Sequence, residues 1–220
     1  MIGIIPASGK ASRLNGLPKF ALPYNNDGDS LIKRHVEKMK KHCDRVVVST
    51  SSQWKDLLIS FNLDIEIIII EPSTMNDAVL KIADKYISDK YLIGMGDTYY
   101  EGENPYDKLS LMLYKNLITV ACWKIDEELK GRVGQVKLFS GSILDVVDKK
   151  DDCDYSHMWG AIGLDRNVLL TLNKNNAHPG IDLPLQIKDN FSSHFAFEVD
   201  GKYFDVGTMS GYKELISRTV

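Results

Sequence analysis

Two carboxylates carry the first sign of chemistry. Asp97 in LIGMGDTYY and Asp205 in KYFDVGTMSGY each end an apolar run, the first between Gly96 and Thr98, the second just before Gly207 and Thr208. Isolated carboxylates at strand ends can hold one Mg²⁺ against phosphate oxygens, because that ion takes one or two carboxylates and leaves its other positions to phosphate and water. The opening stretch IIPASGKASRLNGLPK supplies what a polyphosphate needs. Gly9, with the small residues Ser8 and Ala11, lets backbone N–H groups approach an anion, and Arg13 and Lys19 add fixed positive charge. It is not a P-loop: Ala11 follows Lys10 where that motif has Ser or Thr, and Ile4 stands where it has its first Gly. Each feature alone also has a plain structural reading. The loop can be a Gly-rich connection, Asp97 a turn residue, and Asp205 the cap of a helix from Thr208 to Ile216. Their combination points to phosphate chemistry.

These residues need a frame, and hydrophobic patterning provides one. Ile2 to Ala7, Arg45 to Thr50, Ile65 to Ile70 and Tyr91 to Met95 read as buried strands. The runs Val46-Val47-Val48 and Ile67 to Ile70 are continuously apolar and β-branched, as central strands covered on both faces are. Between them lie helical patterns. Ser30 caps a helix whose stripe is Leu31, Ile32, His35, Val36 and Met39, and Ser73 or Thr74 caps one running through Val79, Leu80, Ile82 and Ala83. This alternation predicts an α/β, Rossmann-like, mostly parallel sheet. In such sheets ligands bind at the carboxyl ends of the strands, where the Ser8–Lys19 loop and Gly96-Asp97-Thr98 fall.

The second half reads as short strands at Leu117 to Trp123, Arg132 to Phe139, Ser142 to Val147 and Ala161 to Leu164, a small β-rich extension against one edge of the sheet. One domain over 1–220 is expected, with lobes of about 1–115 and about 116–220. Hydrophobic content of 44 % and charged content of 26 % are those of a globular protein, and a net charge of −3 gives no reason to expect nucleic acid or a membrane as partner. Cys43, Cys122 and Cys153 are too scattered for a disulfide framework or a zinc site, and no apolar run approaches a membrane span, so a cytoplasmic setting is expected. His35 reads as a packed helix residue, and His157, His178 and His194 lack metal-ligand spacing. Trp123 reads as core, Trp159 as a border of a pocket.

Taken in order, the motifs resemble those of the nucleotidyltransferases that couple a sugar phosphate to a nucleoside triphosphate. Ser8-Gly9-Lys10-Ala11-Ser12-Arg13 followed by Pro18-Lys19 is similar to the family's G-G-x-G-T-R…P-K signature. Gly96-Asp97-Thr98 matches its GDN or GDT motif, and Phe204-Asp205-Val206-Gly207-Thr208 its aromatic-x-D-x-G-T motif. Gly134-Gln135-Val136, Asp148-Lys149 and Trp159-Gly160-Ala161-Ile162 resemble its G-V-V strand, its E-K-P motif and the strand that follows. The resemblance implies that Arg13 and Lys19 grip the triphosphate, and that Asp97 and Asp205 hold Mg²⁺. Ala7, Ser8, Gly9, Lys10 and Gly96 would line the nucleotide, with Pro72 and Asn76 in the segment that reads the base. Lys149 would hold the acceptor's phosphate and Asp148 its hydroxyls, with Gly134 and Gly160 beside them. A sugar 1-phosphate or similar small phosphate is the implied acceptor. The pattern also departs from the family: Ser8 and Ala11 replace loop glycines, and Lys150 stands where the family has Pro.

Two other functions fit a chain of this kind. A glycosyltransferase of similar architecture uses a D-x-D pair, but Tyr99 fills the second position after Asp97, and Asp152-Cys153-Asp154 falls in a charged loop. A non-catalytic nucleotide sensor would explain Ala11, yet retains no use for two intact carboxylates.

Overall fold

The computed structural model describes residues 1–9, 16–71 and 74–219. In chain order the strands are β1 (Ile2–Pro6), β2 (Arg45–Thr50), β3 (Glu66–Ile69), β4 (Lys90–Gly94), β5 (Thr98–Tyr100), β6 (Ile118–Lys124), β7 (Gly134–Phe139), β8 (Ser142–Asp148), β9 (His157–Asp165), β10 (His194–Glu198) and β11 (Tyr203–Asp205). The helices are α1 (Leu31–Met39), α2 (Lys55–Ser60), α3 (Met75–Lys85), α4 (Pro105–Leu113), α5 (Arg166–Leu169), α6 (Pro179–Asp189) and α7 (Met209–Thr219). The main sheet runs β10-β6-β9-β4-β1-β2-β3, and β9 is the antiparallel member between β4 and β6.

A row of directly opposed apolar side chains sets the register across five strands: Val120, Ile162, Ile93, Ile4 and Val47. All five are buried in one core. A one-residue slip of any strand would turn its half of this row to the opposite face. That core is closed by Val79 and Ile82 of α3, Val168 of α5 and Leu183 of α6, while Ile5, Val46 and Val48 face Met39 of α1, Leu58 of α2 and Leu109 of α4. Helices thus cover both faces, and each fully buried Ile or Leu contributes roughly 2 kcal/mol.

Local signals explain the helix starts. Ser30 accepts from Lys33 N at 3.4 Å and Thr74 from Asp77 N at 3.0 Å, so both expected caps are present. All five residues of the α1 stripe are buried. Two expectations need correction. β3 is an edge strand, half-exposed despite its isoleucines, because nothing pairs its outer side among the described residues. The β-rich second half is also less of an appendage than its sequence implies. β6, β9 and β10 extend the main sheet itself, and only the β7–β8 hairpin projects from it. A separate two-stranded ladder, β5 with β11, sets Asp205 opposite Thr98.

Candidate active site

The chain leaves β1 at Pro6 and enters a cleft. Ala7 N donates to Ser49 O at 2.9 Å, and the Ser8 and Ser49 hydroxyls lie 2.9 Å apart, so the start of the loop is tied to the end of β2. Lys10 and Arg13 lie outside the described residues, as does Pro72. Past them, Pro18 leads into a single 3-10 turn, Lys19–Ala21, which buries Phe20 and leaves Lys19 on the cleft wall. At the end of β4, Gly96 packs so closely on Ile5 that a β-carbon there would lie 2.9 Å from its Cγ2. The next residue, Asp97, accepts a 3.0 Å ion pair from Lys19 Nζ.

The second carboxylate reaches the same place by tertiary pairing. Asp205 stands opposite Thr98 in the β5–β11 ladder, and its Oδ1 accepts from Gly207 N at 2.8 Å. Two residues on, a β-carbon at 207 would lie 2.6 Å from Asp205 Oδ1 and 3.1 Å from Lys19 Nζ, so a larger residue there would displace these side chains. Burial, with the Asp97 and Asp205 carboxylates nearby, pushes the Tyr203 phenol well above its usual range. Asp97, Lys19 and Asp205 therefore form one cluster. Among the described residues no group of three or more His, Cys, Asp or Glu side chains could hold a metal. Two carboxylates suit Mg²⁺ taken up with phosphate and water, and do not suit a protein-caged metal. Asp205 does not cap a helix; Thr208 Oγ1 takes that role, accepting from Gly211 N at 3.2 Å.

The opposite wall comes from the second half. The cleft has a volume of about 620 Å³, and its lining includes Ala7, Ser8, Gly9, Lys19, Gly96 and Asp97 on one side and Gly134, Asp148 and Lys149 on the other. Asp148 ends β8, and Lys149 follows with φ of 50°, a left-handed conformation that non-glycine residues rarely adopt. Its N–H donates to Val133 O at 3.2 Å, which holds this turn. Trp159, near the start of β9, also lines the cleft; a β-carbon on Gly134 or Gly180 would lie within 2.3 Å of its indole.

A family model described as a MobA-like NTP transferase domain matches residues 3–152, which span both walls of this cleft. The chain belongs to that family. It is a nucleotidyltransferase, an enzyme of the class that moves a nucleotidyl group from an NTP. No curated protein matches it in sequence. Solved structures share the fold of this chain over almost its whole length. One, described as "a Putative Glucose-1-Phosphate Thymidylyltransferase from Bacillus anthracis" in complex with sucrose, superposes with a TM-score of 0.86 at 16 % identity, over 100 % of this chain and 95 % of that one. A UDP-glucose pyrophosphorylase complexed with UDP-glucose gives 0.81 at 17 %, covering 99 % and 97 %. HddC from Yersinia pseudotuberculosis complexed with GMP-PN gives 0.73 at 17 %, covering 99 % and 98 %.

Two residues of the chain differ from expectation. Asn76 does not face the cleft: it is fully buried, and its amide donates to Asp182 Oδ2 at 2.6 Å and Asn173 O at 3.0 Å. The cap residue Thr74, with Met75 and Ala78 of α3, lines the cleft instead. Gly160 turns inward as well, where a β-carbon would meet Tyr203 and Trp123 at 2.6 and 2.7 Å. Its role is the close approach of rings in the core. Sequence reasoning missed others. Glu71, anchored by Ser52 N at 2.9 Å, lines the cleft, and so do Ala177 and His178. The only local signal for His178 is its place directly before Pro179-Gly180 at a helix start.

Proposed function

We propose that the protein joins a nucleoside triphosphate to a sugar 1-phosphate, or a similar small phosphate, with Mg²⁺, releasing pyrophosphate and an activated nucleotide product. One observation carries the reading: a single cleft has Lys19, Asp97 and Ala7 to Gly9 on one wall and Asp148 and Lys149 on the other. The first wall suits a triphosphate and the second a phosphorylated polyol, and the separation leaves both in one reaction volume. Residues of about 1–115 thus supply the nucleotide lobe and those of about 116–220 the acceptor lobe of one domain, with Asp205 crossing back. Arg13, Lys10 and Pro72 keep the nucleotide roles given to them by resemblance. Three free thiols, two of them buried, accord with a reducing cytoplasm.

The reaction needs little from the protein beyond placement. An ionised oxygen of the acceptor phosphate attacks the α-phosphorus in line. The new P–O bond forms as the bond from the α-phosphorus to the β-phosphate oxygen breaks, and pyrophosphate leaves with that electron pair. The attacking group already carries charge, so no general base is required. Lys19 offsets the negative charge that builds on the phosphate oxygens, and Lys149 fixes the nucleophile; such preorganised charge is worth several kcal/mol. Asp97 and Asp205 would hold Mg²⁺, which would supply further charge neutralisation between them and the phosphates.

The test is pyrophosphate release from Mg²⁺, each NTP and a panel of hexose 1-phosphates, with Asp97→Asn and Asp205→Asn beside the native chain. Release with one pair, lost in both variants, is the expected result. Absence of NTP binding in a thermal-shift assay would refute the assignment.

A further inference from the structure

The acceptor wall contains a histidine that the reaction above does not use. His178 stands at the start of α6 and is 15 % exposed, with its Nε2 3.2 Å from Asp148 Oδ1. Its ring lies against the Trp159 indole, centroids 5.3 Å apart and planes at 43°. Both side chains line the cleft. A histidine kept for the fold alone satisfies both nitrogens. His35 does so, with Nδ1 3.1 Å from the Tyr106 hydroxyl and Nε2 2.9 Å from Thr98 O. At His178 the other nitrogen, Nδ1, is buried with no partner among the described residues. Leaving a buried polar atom unpaired costs about 1–3 kcal/mol, so the fold alone accounts for this ring less fully than it does for His35.

The loop that carries His178 is itself held firmly. Asp182 of α6 accepts from Asn173 N, from Asn176 Nδ2 at 2.9 Å and from Asn76 Nδ2 at 2.6 Å. Thr74 Oγ1 donates to Lys174 O at 2.5 Å, and Met75 N to Ala177 O at 3.0 Å. The loop is thus pinned to the first turn of α3 and to α6, and His178 leaves it in a fixed direction.

We propose that His178 is the positioning residue of the acceptor subsite: its Nε2–H holds one oxygen of Asp148, so that the other is aimed at a hydroxyl of a sugar ring lying along Trp159. This rests on the reading of Asp148 and Lys149 as the acceptor wall. The pair favours a polyhydroxylated acceptor over its deoxy counterpart, since the deoxy form withholds the donor that the aimed carboxylate oxygen would accept from. The charged groups facing the ring are Asp148, Lys149 and Asp182. Burial pulls the imidazole pKa below its usual value despite Asp148, and a neutral ring whose Nε2 lies 3.2 Å from a carboxylate oxygen can attract it only by carrying its proton on that nitrogen.

Two measurements test this. The first needs no substrate: long-range ¹H–¹⁵N NMR of the full chain at pH 7 will report the Nε2–H tautomer for His178, and the Nδ1–H tautomer overturns the proposal. The second uses pyrophosphate release with hexose 1-phosphates and their 2-, 3-, 4- and 6-deoxy forms. His178→Leu will raise the acceptor KM about 10- to 100-fold with kcat within about threefold, will leave the NTP Kd unchanged, and will erase the preference for one hydroxyl. His178→Gln, whose amide also donates, will restore most of both. A hydroxyl preference that survives in His178→Leu overturns the proposal, as does failure of the wild type to turn over any hexose 1-phosphate while it still binds NTP. Loss of NTP binding in the wild type refutes the nucleotidyl-transfer assignment itself.

Discussion

Lys19 Nζ and Asp97 Oδ2 lie 3.0 Å apart across the mouth of the cleft, joining the end of the β1 loop to the end of β4. Both side chains are partly exposed, at 23 % and 39 %, so as an ion pair they add little to stability. Their value lies in exchange. With no ligand, the lysine neutralises the carboxylate that the proposed function assigns to Mg²⁺. When metal and triphosphate enter together, Asp97 can turn to the metal and Lys19 to phosphate.

Lys19→Met separates these roles. Pyrophosphate release should fall on the order of 100- to 1000-fold, the usual effect of losing one preorganised group at a charged transition state. Mn²⁺ binding to the nucleotide-free protein, followed by electron paramagnetic resonance, should tighten roughly severalfold, because the cation competing for Asp97 is gone. Weaker Mn²⁺ binding in the variant would contradict the exchange.

Lys149 follows Asp148 in a left-handed conformation, φ 50°, which costs a residue with a β-carbon about 1 kcal/mol or more. A lysine is retained there although glycine would fit. Among substitutions the usual order should therefore invert, with Lys149→Gly more stable than Lys149→Ala by about 1 kcal/mol in urea unfolding. Both should lose acceptor binding alike, since both lack the ammonium. If Ala is the more stable of the two, the strain is not real.

Much of this site was legible because its chemistry sits next to strand ends. Asp97 follows an apolar run, and Ser8 and Gly9 follow another, so periodicity pointed to the edge of the sheet where all three line one cleft. Asp205 was legible as a motif, but its partnership with Asp97 depends on β11 pairing with β5, across more than 100 residues. Pairing of that kind leaves no local trace. Asn76 was misjudged for a related reason: the residue that draws it inward, Asp182, is far along the chain. The edge position of β3 was hidden too, because an isoleucine run reads the same whether one or both of its flanks are paired. His178 had no spacing signal, since its partners Asp148 and Trp159 come from separate strands.

Trp159 tests how tightly the acceptor wall is built. Its indole passes between Gly134 and Gly180, and a β-carbon at Gly134 would lie 2.2 Å from Nε1. Gly134→Ala must push the ring toward the cleft or distort β7 where it pairs with Asp148. The expected result is a tenfold or larger rise in acceptor KM, with the NTP Kd unchanged by calorimetry. A matching loss of NTP affinity would mean that the two walls do not act separately.

His35 ties stability to pH beneath the Asp97 turn. Its ring is fully enclosed, its Nε2 meets Thr98 O at 2.9 Å, and burial pulls its pKa down to about 4. Above the ordinary histidine pKa of about 6.5 it is neutral whether the chain is folded or not, and its contribution is complete. As pH falls from there toward 4, the unfolded chain takes up a proton that the folded chain refuses, so stability declines with falling pH, by up to about 3 kcal/mol. His178, whose pKa is also depressed, adds a loss of the same sign. Urea unfolding between pH 7 and 4.5 should show this slope, and His35→Gln, neutral throughout, should flatten most of it at some cost in stability at pH 7. An unchanged slope in the variant would assign the effect to other groups. Because Thr98 O belongs to the turn that carries Asp97, the acid loss of stability should be accompanied by loss of NTP binding over the same range.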